Sequence, residues 1–259
     1  LIVNCQRGGP GLGTIQPSQG DYFQACKGGG HGDYRLIVLA PASVQEMHDF
    51  VALGFDLAFK YRNPAMILAD GAIGQMMEKV VLAPQRPRKT NEEIAAECRD
   101  WATYGKPADR PRNVVTSLEL QSEAMEKINL RLQAKYKAME ENEVRYEALA
   151  CDDADYVIVA FGSSARICSA TVEMARAEGI RLGMLRPITL YPFPTRPIAE
   201  LAARVKGFLS VELNAGQMVE DVRLAVNGAV PVEHYGRQGG MIYSPDEVLA
   251  ALKEKLIKA

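Results

Sequence analysis

Apolar and polar positions follow two rhythms along this 259-residue chain. Short unbroken apolar runs recur: LIVN at the start, RLIVLA from Arg35, AMILAD from Ala65, DYVIVAFG from Asp155, IRLGMLRP from Ile180 and GFLSVEL from Gly207. Runs of this length, apolar on both alternating faces, suit strands covered on both sides, as in a parallel sheet. Between them the rhythm is helical. PASVQEMHDFVALGFDLAFKYRN predicts an amphipathic helix with Pro41 and Ser43 at its start and a stripe through Val44, Met47, Val51, Leu53, Leu57 and Ala58. Ser18–Cys26 reads as a short helix capped by Ser18, followed by a flexible loop, Gly28–Asp33. SSARICSATVEMARAEG reads as a helix capped by Ser163 or Ser164 and closed by Gly179. Further helices are expected at Pro197–Val205, Gln217–Val226 and Pro245–Lys258. Strand, helix, strand at this spacing is a βαβ unit.

The middle of the chain breaks both rhythms. LAPQRPRKTNEEIAAECRDWATYGKPADRPRN holds four prolines and many charges and predicts an extended connector, with one short helix at Asn91–Cys98. The stretch from Ser117 to Leu149 has no Gly or Pro, and Met125, Ile128, Leu132, Met139 and Tyr146 trace one seam along it. Glu123 precedes Lys127 by four residues, a helix-stabilising spacing. The long helix either meets a coiled-coil partner or bridges two domains. The expected architecture is α/β: two doubly wound parallel-sheet domains joined by a long helix. The boundaries are 1–83, a connector with the bridging helix at 84–150, and 151–259. LIVN reads as the back end of a buried strand with nothing before it, so a preceding segment is expected; a processed start is the alternative.

Composition narrows the class. The apolar fraction is 47%, the charged fraction 24% and the formal net charge −2, which argues against binding nucleic acid through a broad basic face. No apolar run approaches the roughly 18 residues of a membrane span, so no membrane partner is expected. The cysteines, Cys5, Cys26, Cys98, Cys151 and Cys168, are scattered, without a CxxC pair. They read as reduced cytoplasmic thiols, mostly core filler. His31, His48 and His234 share no metal spacing, so no metal site is expected in this chain. No GxSxG elbow marks a hydrolase.

The chemistry concentrates in NCQRGGPGLGT, residues 4–14. Gly8 and Gly13 have the spacing of a P-loop, but Thr14 and Ile15 stand where Lys is required. Gly9 and Gly11 begin a dinucleotide fingerprint, but Thr14 takes the place of its last glycine. What remains is Arg7 at a strand's carboxyl end, beside glycines that let a ligand approach the backbone. A guanidinium there suits bidentate capture of a carboxylate or phosphate. Alternatively, Arg7 pairs with a local acid such as Asp21. AFGSSAR (160–166) is a second strand–Gly–helix junction, read as a structural turn rather than an anion site.

Taken together, NCQRGGPGLGTIQPSQGD, AFKYRNPAMILADGAIGQMMEKV, EENEVRYE, LRPITLYPFP and VELNAGQMVEDVR resemble, in collinear order, the α subunit of 2-oxoacid:ferredoxin oxidoreductases, closest to the 2-ketoisovalerate type. The resemblance implies thiamine diphosphate chemistry: oxidative decarboxylation of a 2-oxoacid to an acyl-CoA, with electrons passing to ferredoxin. It implies that residues 1–83 are the second half of a pyrimidine-binding domain and 151–259 a transketolase C-terminal-like domain. Thiamine diphosphate would be shared with a β subunit, magnesium and iron–sulfur clusters would lie on partner chains, and coenzyme A would be co-substrate. Homodimerisation of α within the complex is implied too. Arg7, with Gly8 and Gly9, matches the RGGP segment that contacts the 2-oxoacid carboxylate. The usual continuation is RGGPSTG; Gly11 and Leu12 replace Ser and Thr here, removing any hydroxyl contact from that pair. A YPITPS-type loop and the acidic residue that promotes ylide formation are expected upstream of Leu1, so no catalytic residue is expected within the chain and it is not expected to act alone. The rival readings are another thiamine enzyme, of transketolase or lipoamide-dependent dehydrogenase type, and a non-catalytic assembly subunit, for which ELNAGQM could serve as an interface or a core turn.

Overall fold

Every apolar run becomes a strand in the computed structural model, which describes residues 1–102 and 105–257. Thr103 and Tyr104 of the connector, and Lys258 of the predicted terminal helix, lie outside the described residues. In chain order the first region holds β1 (Ile2–Gln6), α1 (Tyr22–Cys26), β2 (Ile37–Leu39), α2 (Val44–Tyr61), β3 (Ala65–Asp70) and α3 (Gly71–Gln75). The middle holds α4 (Asn91–Glu97) and α5 (Ser122–Asn142). The last region holds β4 (Tyr146–Leu149), β5 (Tyr156–Val159), α6 (Gly162–Ala177), β6 (Leu182–Pro187), β7 (Thr189–Tyr191), α7 (Thr195–Ala202), β8 (Gly207–Glu212), α8 (Met218–Val226), β9 (Val232–Gly236) and α9 (Pro245–Leu252). A π-type turn, Lys253–Ile257, follows α9.

The first sheet has the order β1-β3-β2-β7. β1 and β2 both run parallel to β3, and α2 makes the β2–β3 crossover. Ser43 caps α2 by accepting from Glu46 N at 3.1 Å, while the Glu46 carboxylate accepts from Ala42 N at 2.7 Å. The helix buries Phe50, Gly54 and Leu57; Val51, expected in the stripe, is exposed. The buried face is turned from the expected stripe toward Gly54, against which Leu1 packs. β1 is an edge strand rather than a buried one: Ile2 and Val3 are 45% and 52% exposed. Ser18 does not cap a helix. α1 starts only at Tyr22, and Ser18 Oγ donates to Leu213 O at 3.1 Å.

The second sheet has the order β4-β6-β5-β8-β9, parallel except for β4. Three strands escaped the apolar pattern: β4, β7 and β9. β4 is exposed along its length, β7 is short, and β9 is half-buried throughout, so none shows an unbroken apolar run. The long helix ends at Asn142, and Tyr146 opens β4 instead of continuing the seam. The two faces of the second sheet separate cleanly. Val157, Val159 and Phe208 meet α7 and α8, and this core runs on into Tyr22, Val38 and Leu68 of the first region. Ile158, Leu209 and Val211 turn the other way, onto α6 and α9. Each such side chain contributes about 1.5–3 kcal/mol on burial. α6 begins at Gly162 after Phe161, so Ser163 and Ser164 lie inside its first turn rather than capping it.

By contacts, Leu1–Val81 with Gln133–Ala259 form one compact unit and Leu82–Leu132 another. In the second unit α4 carries a capping box between Thr90 and Glu93, and Arg99 pairs with Asp109 at 2.6 Å. Among its described residues Cys98 is the one buried apolar side chain.

Candidate functional site

At the carboxyl end of β1 the chain folds back on itself. Arg7 forms a bridge with Pro17, Gly8 N donates to Gln16 O at 2.9 Å, and Thr14 N donates to Gly8 O at 2.7 Å. Gly11 and Gly13 take positive φ, 70° and 65°, which makes the turn possible. The Arg7 side chain is exposed and makes no hydrogen bond or ion pair among the described residues. Asp21, the acid considered as its partner, instead accepts from Asn4 Nδ2 at 3.0 Å. Gly8 is buried, Gly9 exposed, and Leu12, where the family pattern has Thr, is solvent-facing. A cavity of about 310 Å³ opens beside the loop, lined by Ile15, Gln16, Pro17, Gly71, Met76 and Ile242 among others. Ligands in open α/β sheets sit at such strand ends. A separate cavity of about 770 Å³ shares no residue with this loop; in its wall Glu140 accepts from the Tyr191 hydroxyl at 3.1 Å.

The strand-end crevice of the second sheet is already filled from within. The chain runs from β5 to β6 on one side and to β8 on the other, a switch point of the kind that usually receives a ligand. Gln19 occupies it. Its Nε2 donates to Phe161 O at 2.8 Å, and its Oε1 accepts from Leu213 N at 3.0 Å and Ser164 Oγ at 2.7 Å. Asp70 sits beside it and caps two helices at once: it accepts from Ala72 N and Ile73 N of α3, and from Ser163 N and Oγ of α6, at 2.5–3.2 Å. Gly162, at φ 55°, leaves the room: a Cβ would stand 3.0 Å from Gln19 Nε2 and 3.1 Å from Asp70 Oδ2. AFGSSAR is therefore a structural turn whose helix N-terminus already holds an anion, the Asp70 carboxylate.

ELNAGQM is likewise internal. Glu212 is fully buried and caps α8, accepting from Gln217, Met218 and Val219 N at 2.7–3.1 Å. Asn214 Nδ2 donates to Gln19 O at 2.7 Å, and Gln217 Nε2 to Gly20 O at 2.8 Å. Asp221 takes the Tyr22 hydroxyl at 2.5 Å and pairs with Lys27. His234 Nε2 stands 4.0 Å from Glu212 Oε1, and burial holds the imidazole below its ordinary pKa despite that carboxylate. Burial, then the charge of Asp70, pushes the Cys5 thiol up, away from a thiolate nucleophile. All five cysteines are free, and Cys5 alone is exposed. Among the described residues no group of three His, Cys, Asp or Glu is arranged to hold a metal ion, and no helix is long and apolar enough to cross a membrane.

Arg7, Gly8 and Gly9 are the candidates the sequence offers; to them the fold adds Gln19, Asp70 and Asn214 and the turn after β9, Arg237–Gly240. For Asp70 a signal existed: an acid directly before Gly71 at a strand end is a helix-cap signature.

This α/β architecture recurs in solved proteins. A 2-oxoglutarate:ferredoxin oxidoreductase from Magnetococcus marinus matches with a TM-score of 0.79 at 22% identity, over 98% of this chain and 48% of that one. A split-gene transketolase matches with a TM-score of 0.50 at 14% identity, over 86% of this chain and 57% of that one. The class is that of two-sheet α/β proteins with the transketolase-like fold. The sequence resolves it further. Residues 1–146 match the family model described as pyruvate flavodoxin/ferredoxin oxidoreductase, thiamine diphosphate-binding, and residues 154–248 match pyruvate:ferredoxin oxidoreductase core domain II. The ketoisovalerate oxidoreductase subunit VorB of Methanothermobacter thermautotrophicus is 48% identical over 98% of this chain and 70% of its own length. The 2-oxoglutarate synthase subunit KorA of Methanothermobacter marburgensis is 36% identical over 96% and 72%. The chain belongs to the 2-oxoacid:ferredoxin oxidoreductase family, as a subunit of a thiamine-diphosphate-dependent enzyme.

Proposed function

We propose that this chain supplies the substrate-carboxylate clamp of an enzyme that oxidatively decarboxylates a branched-chain 2-oxoacid, such as 2-ketoisovalerate, to an acyl-CoA while reducing ferredoxin. The observation that carries the reading is the unpartnered Arg7 guanidinium at the carboxyl end of β1, beside the Gly8–Gly9 turn. An exposed cation without an internal partner, on a backbone fixed by its own hydrogen bonds, is pre-organised for a bidentate carboxylate. The 48% identity to a ketoisovalerate oxidoreductase subunit favours a branched substrate over 2-oxoglutarate, whose named relative is 36% identical.

The described residues offer no cluster of metal ligands for the cation that accompanies a diphosphate, so no step through thiamine diphosphate is assigned to them. In this reading a β subunit holds the diphosphate and magnesium, partner chains carry the iron–sulfur clusters, and coenzyme A is the acyl acceptor. The α subunits pair within a cytoplasmic complex. Residues 1–83 serve as part of the pyrimidine-binding domain and 151–259 as the transketolase C-terminal-like domain. Arg7 then neutralises the oxoacid carboxylate and holds it in line until carbon dioxide leaves.

The test is Arg7→Ala in the assembled enzyme, read by 2-ketoisovalerate-dependent reduction of ferredoxin or viologen. Loss of one pre-organised ionic contact predicts a fall in kcat/KM for the oxoacid on the order of a hundredfold, with assembly intact. Unchanged kinetics would favour the assembly-subunit reading. Lipoamide dependence would favour a dehydrogenase.

A further inference from the structure

Arg7 lies on a loop of glycines whose own hydrogen bonds close the turn but do not fix its place against the rest of the molecule. What holds it comes from the far end of the chain. The turn after β9, Arg237–Gly240, closes over the Arg7 loop. Thr14 Oγ1 donates to Gly239 O at 3.3 Å and accepts from Gln16 N at the same distance. The two backbones touch: a Cβ on Gly8 would stand 2.5 Å from the Gly239 carbonyl carbon, and a Cβ on Gly240 would stand 2.5 Å from Gln16 Cβ and 2.7 Å from Thr14 Oγ1. The turn is itself tied down. Arg237 Nη1 pairs with Glu247 Oε1 at 3.0 Å, and Ser244 and Glu247 form the capping box of α9. Gln238 Nε2 reaches Asn214 O at 3.4 Å.

We propose that the Gly239–Gly240 turn of the second sheet, acting through the Thr14 hydroxyl, positions the Arg7 loop for the 2-oxoacid carboxylate. Thr14, Gly239 and Gly240 are positioning residues and touch no substrate. The proposal rests on the carboxylate-clamp reading of Arg7. It adds that the clamp's geometry is set by residues more than two hundred positions away in sequence.

The geometry provides its own control. Gly239 and Gly240 both have positive φ, 66° and 95°, so alanine strains the backbone at either position. Only at Gly240 does the new Cβ collide with the Arg7 loop; at Gly239 nothing lies within 4 Å. In the assembled oxidoreductase, Thr14→Val is expected to raise KM for the oxoacid about fivefold, leaving KM for coenzyme A unchanged, the value of one ordinary hydrogen bond. Thr14→Ser, which keeps the hydroxyl, restores the parent value. Gly240→Ala raises KM for the oxoacid more than Gly239→Ala does. Amide exchange of residues 8–14 accelerates in Thr14→Val and Gly240→Ala and stays near the parent rate in Gly239→Ala.

A double-mutant cycle separates positioning from general structure. If Thr14 acts through Arg7, Thr14→Val adds nothing to KM once Arg7 is alanine. Additive effects, or equal effects of Gly239→Ala and Gly240→Ala, overturn the inference. If Arg7→Ala alone leaves oxoacid kinetics unchanged, the clamp reading fails first. If Arg7→Ala raises KM while Thr14→Val and Gly240→Ala leave it unchanged, the inference fails alone.

Discussion

Single side chains hold this molecule together where its parts meet, and Asp70 is the clearest. One buried carboxylate serves the first-turn N–H groups of two helices, α3 and α6, and takes the Ser163 hydroxyl as well. Its removal leaves those donors without acceptors in a site closed to water. Asp70→Ala is expected to cost about 3 kcal/mol and to lower Tm by roughly 10 °C, measured by thermal unfolding. Asp70→Asn, which keeps one acceptor oxygen, loses less. Arg7 is the opposite case, a charged side chain left without an internal partner. The sequence marked it through its glycine setting. The cap Asp70 gives the helix at 71 had a local signal, but its second partner helix starts at 162 and only the fold brings the two together.

Elements with a strong pattern follow the sequence closely. Ser43 and α2, the βαβ crossover, the short helix from Asn91 and the closing helix from Pro245 form where capping residues and apolar spacing place them. The helix predicted to run to Leu149 stops at Asn142 for a physical reason: just beyond its end lies a buried carboxylate that other elements claim. Glu143 accepts from Lys60 Nζ at 2.6 Å and Tyr61 Oη at 2.7 Å, and pairs with Arg145 at 2.9 Å, tying the end of α2 to the start of β4. Burial pushes the Glu143 carboxyl up, and these three donors outweigh it, so its folded pKa lies below the ordinary 4.5. A carboxylate held below its unfolded pKa stabilises fully above that value, and the contribution is lost as pH falls through the folded one. Acid unfolding of the parent therefore steepens below pH 4.5, and Glu143→Gln flattens that limb while lowering stability by about 2 kcal/mol at neutral pH. Equal acid slopes for the two proteins would remove this account.

Over the whole molecule the two compact units differ in how much they bury. Leu1–Val81 with Gln133–Ala259 contains both apolar cores, whereas Val114, Val115, Leu118 and Leu120 of Leu82–Leu132 are exposed. A unit with so little buried apolar surface opens at low free energy. Trp101, the one tryptophan, lies in that unit. Its fluorescence is expected to change at lower denaturant than the far-ultraviolet dichroism, which reports mainly the sheets and their helices. Coincident transitions would show a single cooperative unit instead.

The order of strands carries a consequence for any attempt to divide this polypeptide. β7, late in the last region, pairs with β2 at the edge of the first sheet, while β4, which opens the last region, pairs with β6 of the second. Severing the chain between Leu149 and Asp155 would leave one fragment ending in a strand whose neighbours are on the other piece. The second fragment would carry a strand that belongs to the first. Neither could complete its hydrogen-bond ladder alone, and each would present raw edges prone to stray pairing. Brought together, the two should associate by mutual complementation, because their missing strands are reciprocal.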